Sequence, residues 1–253
     1  MTIVALLTDF GTRDPYVAAM KGVIAARCDA RIEDLSHDIA PFDVFGAAWF
    51  LRNVVDYWPP ETIFVAVVDP GVGTARRIIA AHCGDHFFLA PDNGVLSLVV
   101  TPPVVSVEND AFFLANGSTT FHGRDRFAPV AAAIANGTAV SELGPKVDAV
   151  VRFDYTPPAY GGARIEGTVV GVDRFGNLIT DIEAARIGFA AFTLRSGWHV
   201  VDRVELNYGD AAAATPFMIV GSSGCIELSV AKGSAADVLQ LSRGDRVSIT
   251  PRL

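Results

Sequence analysis

The chain has 253 residues, 51% of them hydrophobic and 19% charged, with a net charge of −8. That apolar share supplies a substantial core and excludes an intrinsically disordered chain. The acidic balance, with no cluster of Lys or Arg, excludes a nucleic-acid groove, and three distant cysteines (Cys28, Cys83, Cys225) give neither a disulfide framework nor a zinc spacing.

Residues 3–7 read as a first buried strand. The segment before Asp9 has no basic leader and too short an apolar run for a signal peptide, and no later stretch has the length of a membrane span. A cytoplasmic protein is therefore expected. Asp14-Pro15 signals a helix start, with Asp as cap and Pro at the first helical position, leading a helix over 16–27. A strand over 30–35 ends at Ser36-His37-Asp38. A largely apolar helix over 43–58 is stopped by Pro59-Pro60. The unbroken apolar run over 62–68 reads as a strand buried on both faces. Residues 78–83 and 86–89 flank Gly84-Asp85 as a hairpin, 94–100 reads as a short helix, and a helix over 126–135 ends at Asn136-Gly137. This alternation predicts an α/β domain over 1–156 with a mainly parallel sheet and flanking helices. The Pro/Gly cluster Thr156-Pro157-Pro158-Ala159-Tyr160-Gly161-Gly162 marks the boundary. Beyond it, over 163–253, short β runs separated by turns predict a small antiparallel barrel.

The polar residues that can carry chemistry sit where predicted strands end, which is where parallel α/β sheets bind ligands. Asp69 follows the buried run over 62–68 and opens Asp69-Pro70-Gly71-Val72-Gly73-Thr74, with Arg76 and Arg77 close behind. An Asp69–Arg76 pair leaves guanidinium donors for a water or an anion, although a surface ion pair reads equally well from spacing alone. Arg77, adjacent in sequence, points elsewhere. His122, among Phe121, Gly123, Arg124 and Asp125, is suited to proton chemistry near neutral pH. Asp9 can accept hydrogen bonds from a ribose diol or cap its own turn. His37 and Asp38, with Asp9, Asp69 and His122, form a donor set that a metallohydrolase would use, without a tight metal motif. Phe175, flanked by Asp173 and Asn177, can stack on a flat ring or occupy a plain hairpin turn, and Gly221-Ser222-Ser223-Gly224 is a turn or a small-residue site. Gly71-Val72-Gly73 lacks the third glycine of a dinucleotide fingerprint.

Taken in order, Thr8-Asp9-Phe10-Gly11, Val68-Asp69-Pro70-Gly71-Val72-Gly73-Thr74, Ala90-Pro91-Asp92-Asn93-Gly94, Phe121-His122-Gly123-Arg124-Asp125 and Asp173-Arg174-Phe175-Gly176-Asn177 resemble the S-adenosylmethionine (SAM) hydrolases, also called SAM hydroxide adenosyltransferases, relatives of the fluorinating and chlorinating SAM enzymes. The resemblance implies hydrolysis of SAM to adenosine and L-methionine without metal or added cofactor. It implies a homotrimer with SAM between the first domain of one subunit and the second domain of its neighbour. By matching motif, Asp69, Arg76 and His122 would handle the nucleophilic water. Asp9 would hold the ribose, with Phe42 packing nearby. Phe175 and Asn177 would contact adenine, and Asp173, Ser222 and Ser223 the methionine portion, with Glu227 adjacent. Cys225 stands where the resemblance leads one to expect an aromatic residue. The halogenating relatives are expected to depart at the Asp69, Arg76 and His122 positions, so the resemblance favours water over halide.

Overall fold

The structure, a computed structural model, describes residues 1–252. Its internal contacts divide the chain into two compact units, Met1–Asp154 and the segment from Tyr155 onward. The first contains, in chain order, β1 (Ile3–Thr8), α1 (Tyr16–Ala25), β2 (Arg31–Ser36), α2 (Val44–Val54), β3 (Ile63–Val67), β4 (Ile78–Cys83), β5 (His86–Pro91), β6 (Val104–Ser106), α3 (Ala128–Ala135) and β7 (Lys146–Val147).

The sheet runs β2-β1-β3-β5-β4-β6-β7. The four strands from β2 to β5 pair in parallel, whereas β4, β6 and β7 join through antiparallel ladders. The sheet is thus mixed with mostly parallel strands, as expected, and carries an antiparallel wing. The reason is the β4–β5 hairpin. Its second strand docks beside β3, so its first strand lies antiparallel on the outside and starts an antiparallel wing.

The central strands are buried on both faces, and their side chains alternate between two cores. Val4, Leu6, Ile63, Val65 and Val67 face one core, which includes residues of α1 and α3. Ala5, Leu7, Phe64, Ala66 and Val68 face the other, which includes residues of α2. Two local expectations change. Helix α1 begins at Tyr16 with Pro15 in the cap position and no capping side chain, so Asp14 is not its cap. Residues 94–100 form turns rather than a helix, because Asn93 Oδ1 takes the Val95 N–H and Gly94 adopts φ 103°.

The second unit contains β8 (Ile165–Val172), β9 (Leu178–Glu183), β10 (Phe192–Ser196), β11 (His199–Val201), β12 (Pro216–Val220), β13 (Cys225–Val230), α4 (Ala235–Leu239) and β14 (Arg246–Pro251). The order β11-β10-β14-β8-β9-β13-β12 is antiparallel at every ladder. Met218 of β12 bonds Arg203 and Glu205, just beyond β11, at 2.7 and 2.9 Å. Those bonds nearly close the sheet into a barrel around Ile165, Val169, Leu178, Ile182, Met218, Leu228 and Ile249.

Phe64 is fully buried, stacked on Phe88 with ring centroids 5.4 Å apart and edge-on to Trp58 and His86. Phe64→Ala should lower the unfolding free energy by about 3–5 kcal/mol. A urea titration with an unchanged midpoint would contradict this packing.

Candidate active site

Strand β3 carries the chain straight to Asp69, and the following loop turns back within a few residues. Val72 N–H donates to the Asp69 carbonyl, and both the N–H and the hydroxyl of Thr74 donate to the Gly71 carbonyl. Gly73 sits at φ 80°, and a Cβ there would lie 2.7 Å from the Thr119 carbonyl oxygen. Only glycine permits this approach, which brings the loop after β3 against the segment leading to His122.

The turn returns Arg76 to Asp69. Arg76 Nε lies 2.9 and 3.0 Å from the two Asp69 oxygens, and Nη2 also donates to Oδ2. The same Nη2 lies 2.9 Å from His122 Nδ1. The Asp69 and Arg76 side chains are 4% and 9% exposed. The array is therefore a buried, charge-assisted network rather than the surface ion pair that spacing alone allowed. A guanidinium can only donate, so Nδ1 accepts and His122 carries its proton on Nε2. Burial is the largest influence on His122 and holds its pKa below the ordinary histidine value. The Arg126 and Arg76 charges act in the same direction, against Asp69 and Asp125. His122 Nε2 and Arg76 Nη1 are buried polar atoms with no hydrogen-bond partner among the described residues. Arg77 turns away and donates to Asp92 and to the Ala149 carbonyl.

His122 precedes a single π-helical turn, Gly123–Phe127, that runs into α3. Such turns recur at functional sites. Asp125, buried in this turn, accepts the Ser118 N–H at 2.6 Å and two bonds from Arg124, which pins the loop before His122. This pull by Arg124, the largest influence, keeps the Asp125 pKa below the usual carboxylate value.

Asp69 and His122 share a cleft of about 510 Å³ with Asp9, Phe10, Tyr16, Phe42, Val72 and Phe121. Asp9 does not cap its own turn; its Oδ2 accepts the Phe42 N–H at 2.9 Å. Phe42 holds φ 69° and is 70% exposed. Phe10, Tyr16 and Phe121 pack edge to face with centroids 5.1–6.2 Å apart and supply an apolar wall that sequence reading missed. Its signal was the placement of aromatics inside or beside the polar motifs. His37 Nδ1 is taken by Thr8 Oγ1 at 2.8 Å. Among the described residues no group of three or more His, Cys, Asp or Glu is placed to hold a metal ion.

In the second unit, Asp173 organises the β8–β9 hairpin. Its Oδ1 accepts the N–H groups of Phe175 and Asn177, and its Oδ2 accepts Asn177 Nδ2 at 2.8 Å. This leaves Phe175 77% exposed on a cavity of about 560 Å³, which Asp173, Asn177, Tyr208 and Lys232 also line. Ser222 and Ser223 lie in the turn closed by the Gly221–Cys225 backbone bond. Glu227 is buried and covers Gly221, where any Cβ would collide with its carboxylate. Burial first, and the Asp173 charge second among the raising influences, push the Glu227 pKa up against the Tyr208 hydroxyl bond at 3.3 Å. Tyr208 and Lys232 had no motif to mark them. Cys225 is fully buried in β13.

The family model for the SAM hydroxide adenosyltransferase N-terminal domain matches residues 4–144, and that for the C-terminal domain matches 167–248. The chain belongs to this family. It is 39% identical to a protein of Thermus thermophilus named (R)-S-adenosyl-L-methionine hydrolase, over 96% of this chain and 98% of the relative. It is 29% identical to an Actinoplanes fluorinase over 74% of this chain and 75% of that protein. A crystal structure of an uncharacterized conserved protein from Thermotoga maritima superposes with a TM-score of 0.90 at 33% identity, covering 98% of this chain and 99% of the other. All four loops that shape the cleft and its buried network, around Asp9, Phe42, Asp69 and His122, lie within the matched N-terminal domain.

In this SAM hydroxide adenosyltransferase, Arg76 helps to hold His122 neutral. Arg76→Gln should therefore move the His122 titration up toward the ordinary histidine range. Imidazole proton shifts followed by NMR across pH would show it, and an unmoved or lowered titration would contradict this influence of Arg76.

Proposed function

We propose that the protein hydrolyses S-adenosyl-L-methionine to adenosine and L-methionine by in-line attack of water or hydroxide on C5′ of the ribose. The observation that carries this reading is the buried Asp69–Arg76–His122 network at the cleft that Asp9, Asp69 and His122 line, in which Nη1 of Arg76 and Nε2–H of His122 have no partner among the described residues. The name of the Thermus thermophilus relative, at 39% identity over nearly the whole chain, supports the same substrate.

The chemistry asks little of the leaving group. Methionine departs from a sulfonium as a neutral thioether, so no acid is needed on that side. What is needed is an oxygen nucleophile held behind C5′. Water is poor in this role, since its pKa in bulk is about 15.7. Donors at His122 Nε2 and Arg76 stabilise hydroxide character on that oxygen as its proton passes to bulk solvent, and Asp69 fixes the guanidinium that orients both. In this tautomer His122 is a donor to the nucleophile rather than its base. The charges also favour the reaction. Asp69 and Arg76 cancel, His122 is neutral, and hydroxide and sulfonium lose their charges as they combine, so an apolar cleft favours the transition state over hydrated reactants.

The reading includes no metal. The Arg76 cation already bridges Asp69 and His122, and a divalent ion between them would face like charge at close range. Asp9 would hold the ribose beside Phe42, and the Phe175, Asn177 and Asp173 cavity would take adenine and part of methionine, with Ser222, Ser223 and Glu227 at the amino-acid end. Assembly as a cytoplasmic homotrimer, with neighbouring chains completing each site, belongs to the same proposal. No described helix is long and apolar enough to cross a membrane.

Asp69→Ala, which frees the Arg76 guanidinium, and His122→Ala, which removes a donor, should each retain SAM binding and lose turnover by about 100-fold or more, the scale for losing one preorganised donor. Calorimetry with SAM and product chromatography measure the two quantities. Unaltered turnover in both folded variants would remove this mechanism.

A further inference from the structure

Asp9 leaves β1 at the rim of the cleft, and the turn that carries it is tied to one buried residue, His37. The Gly11 N–H donates to the His37 carbonyl at 2.8 Å. The Phe10 N–H donates to Thr8 Oγ1 at 3.2 Å, and the same Oγ1 lies 2.8 Å from His37 Nδ1. Thr8 is fully buried and the His37 side chain is 4% exposed. On its far side, His37 Nε2 lies 2.9 Å from Asp34 Oδ1 without meeting hydrogen-bond geometry, and Lys21 of α1 donates to Asp34 Oδ2 at 2.6 Å.

The ladder holds this turn from one side. Thr8 pairs with Val67 of β3, whereas the β1–β2 register slips between Leu6 and Leu7 and ends before Thr8. On the β2 side, the residues flanking Asp9 are held by His37, through its carbonyl at Gly11 and its ring at Thr8. Phe42 then fixes one carboxylate oxygen, and Oδ1 of Asp9, on a residue that lines the cleft, has no hydrogen bond among the described residues.

We propose that His37 is a positioning residue for nucleoside recognition: through Thr8 it sets the Asp9 carboxylate for the ribose 2′,3′-diol. The inference rests on the reading of Asp9 as the ribose contact and adds a residue outside the cleft to it. A bond to a charged acceptor that is misplaced by a fraction of an ångström loses much of its strength, whereas the adenine contacts in the other unit are untouched.

The test compares adenosine with 2′,3′-dideoxyadenosine, which has no diol, by titration calorimetry on the full chain. His37→Ala and the near-isosteric Thr8→Val should each weaken adenosine about tenfold, or about 1.4 kcal/mol, and leave the dideoxynucleoside bound as by the unaltered protein. His37→Asn, whose amide reaches the position of Nδ1, should restore adenosine binding. Equal weakening of both nucleosides, or unchanged adenosine binding in Thr8→Val, would overturn the proposal even if His37→Ala does not fold. Asp9→Asn separates the two levels. If it abolishes the preference for the diol while Thr8→Val keeps that preference, only the role of His37 fails. If Asp9→Asn keeps the full preference, the ribose reading fails and the proposal falls with it.

Discussion

Arg76 directs its Nε edge at Asp69 and its Nη2 at both Asp69 and His122, and nearly every feature around the cleft serves that geometry. A buried guanidinium is costly unless its charge is matched and its donors are used. Asp69 supplies the matching charge from the end of β3. The Phe127 ring lies 5.6 Å from the guanidinium carbon and covers it with a π-face. The glycine turn is needed to bring Arg76 back to the strand it follows, and Gly73 lets the His122 segment approach. One cation thereby fixes the orientation of a carboxylate and the tautomer of an imidazole.

The fold provides these groups by a change of sheet direction. β3 belongs to the parallel half and ends at Asp69, whereas β4, which begins just after Arg76 and Arg77, opens the antiparallel half. The two adjacent arginines therefore diverge at the seam. Arg76 turns to the cleft, and Arg77 locks Asp92 and the Ala149 carbonyl, with Asp92 also accepting the Val151 N–H. Two ion pairs, one at the cleft and one away from it, are thus built from neighbouring arginines.

Strands such as β1 and β3 were legible in the sequence because burial on both faces requires an unbroken apolar run. The second unit was legible through its short β runs and turns. The sheet order was not. Gly84-Asp85 predicted the β4–β5 hairpin, but nothing local says which of its strands will dock on β3. The Asp69–Arg76 pair was ambiguous for a related reason, since spacing gives reach and not burial. His122 lies 46 residues beyond Arg76, and only the fold joins them. The family motifs carried that information where spacing did not. Tyr208 and Lys232 escaped because their positions depend on how the barrel curls, and His37 read as a metal-ligand candidate until its ring was found bonded to Thr8.

The central claim is that a water oxygen becomes the 5′-oxygen of the nucleoside. Incubation of chelator-treated protein with SAM in ¹⁸O-enriched water containing chloride, followed by mass spectrometry of the separated products, tests it directly. The account predicts adenosine carrying one ¹⁸O at the 5′ position and unlabelled L-methionine. A chlorinated nucleoside, or cleavage that leaves sulfur on the nucleoside, would contradict it.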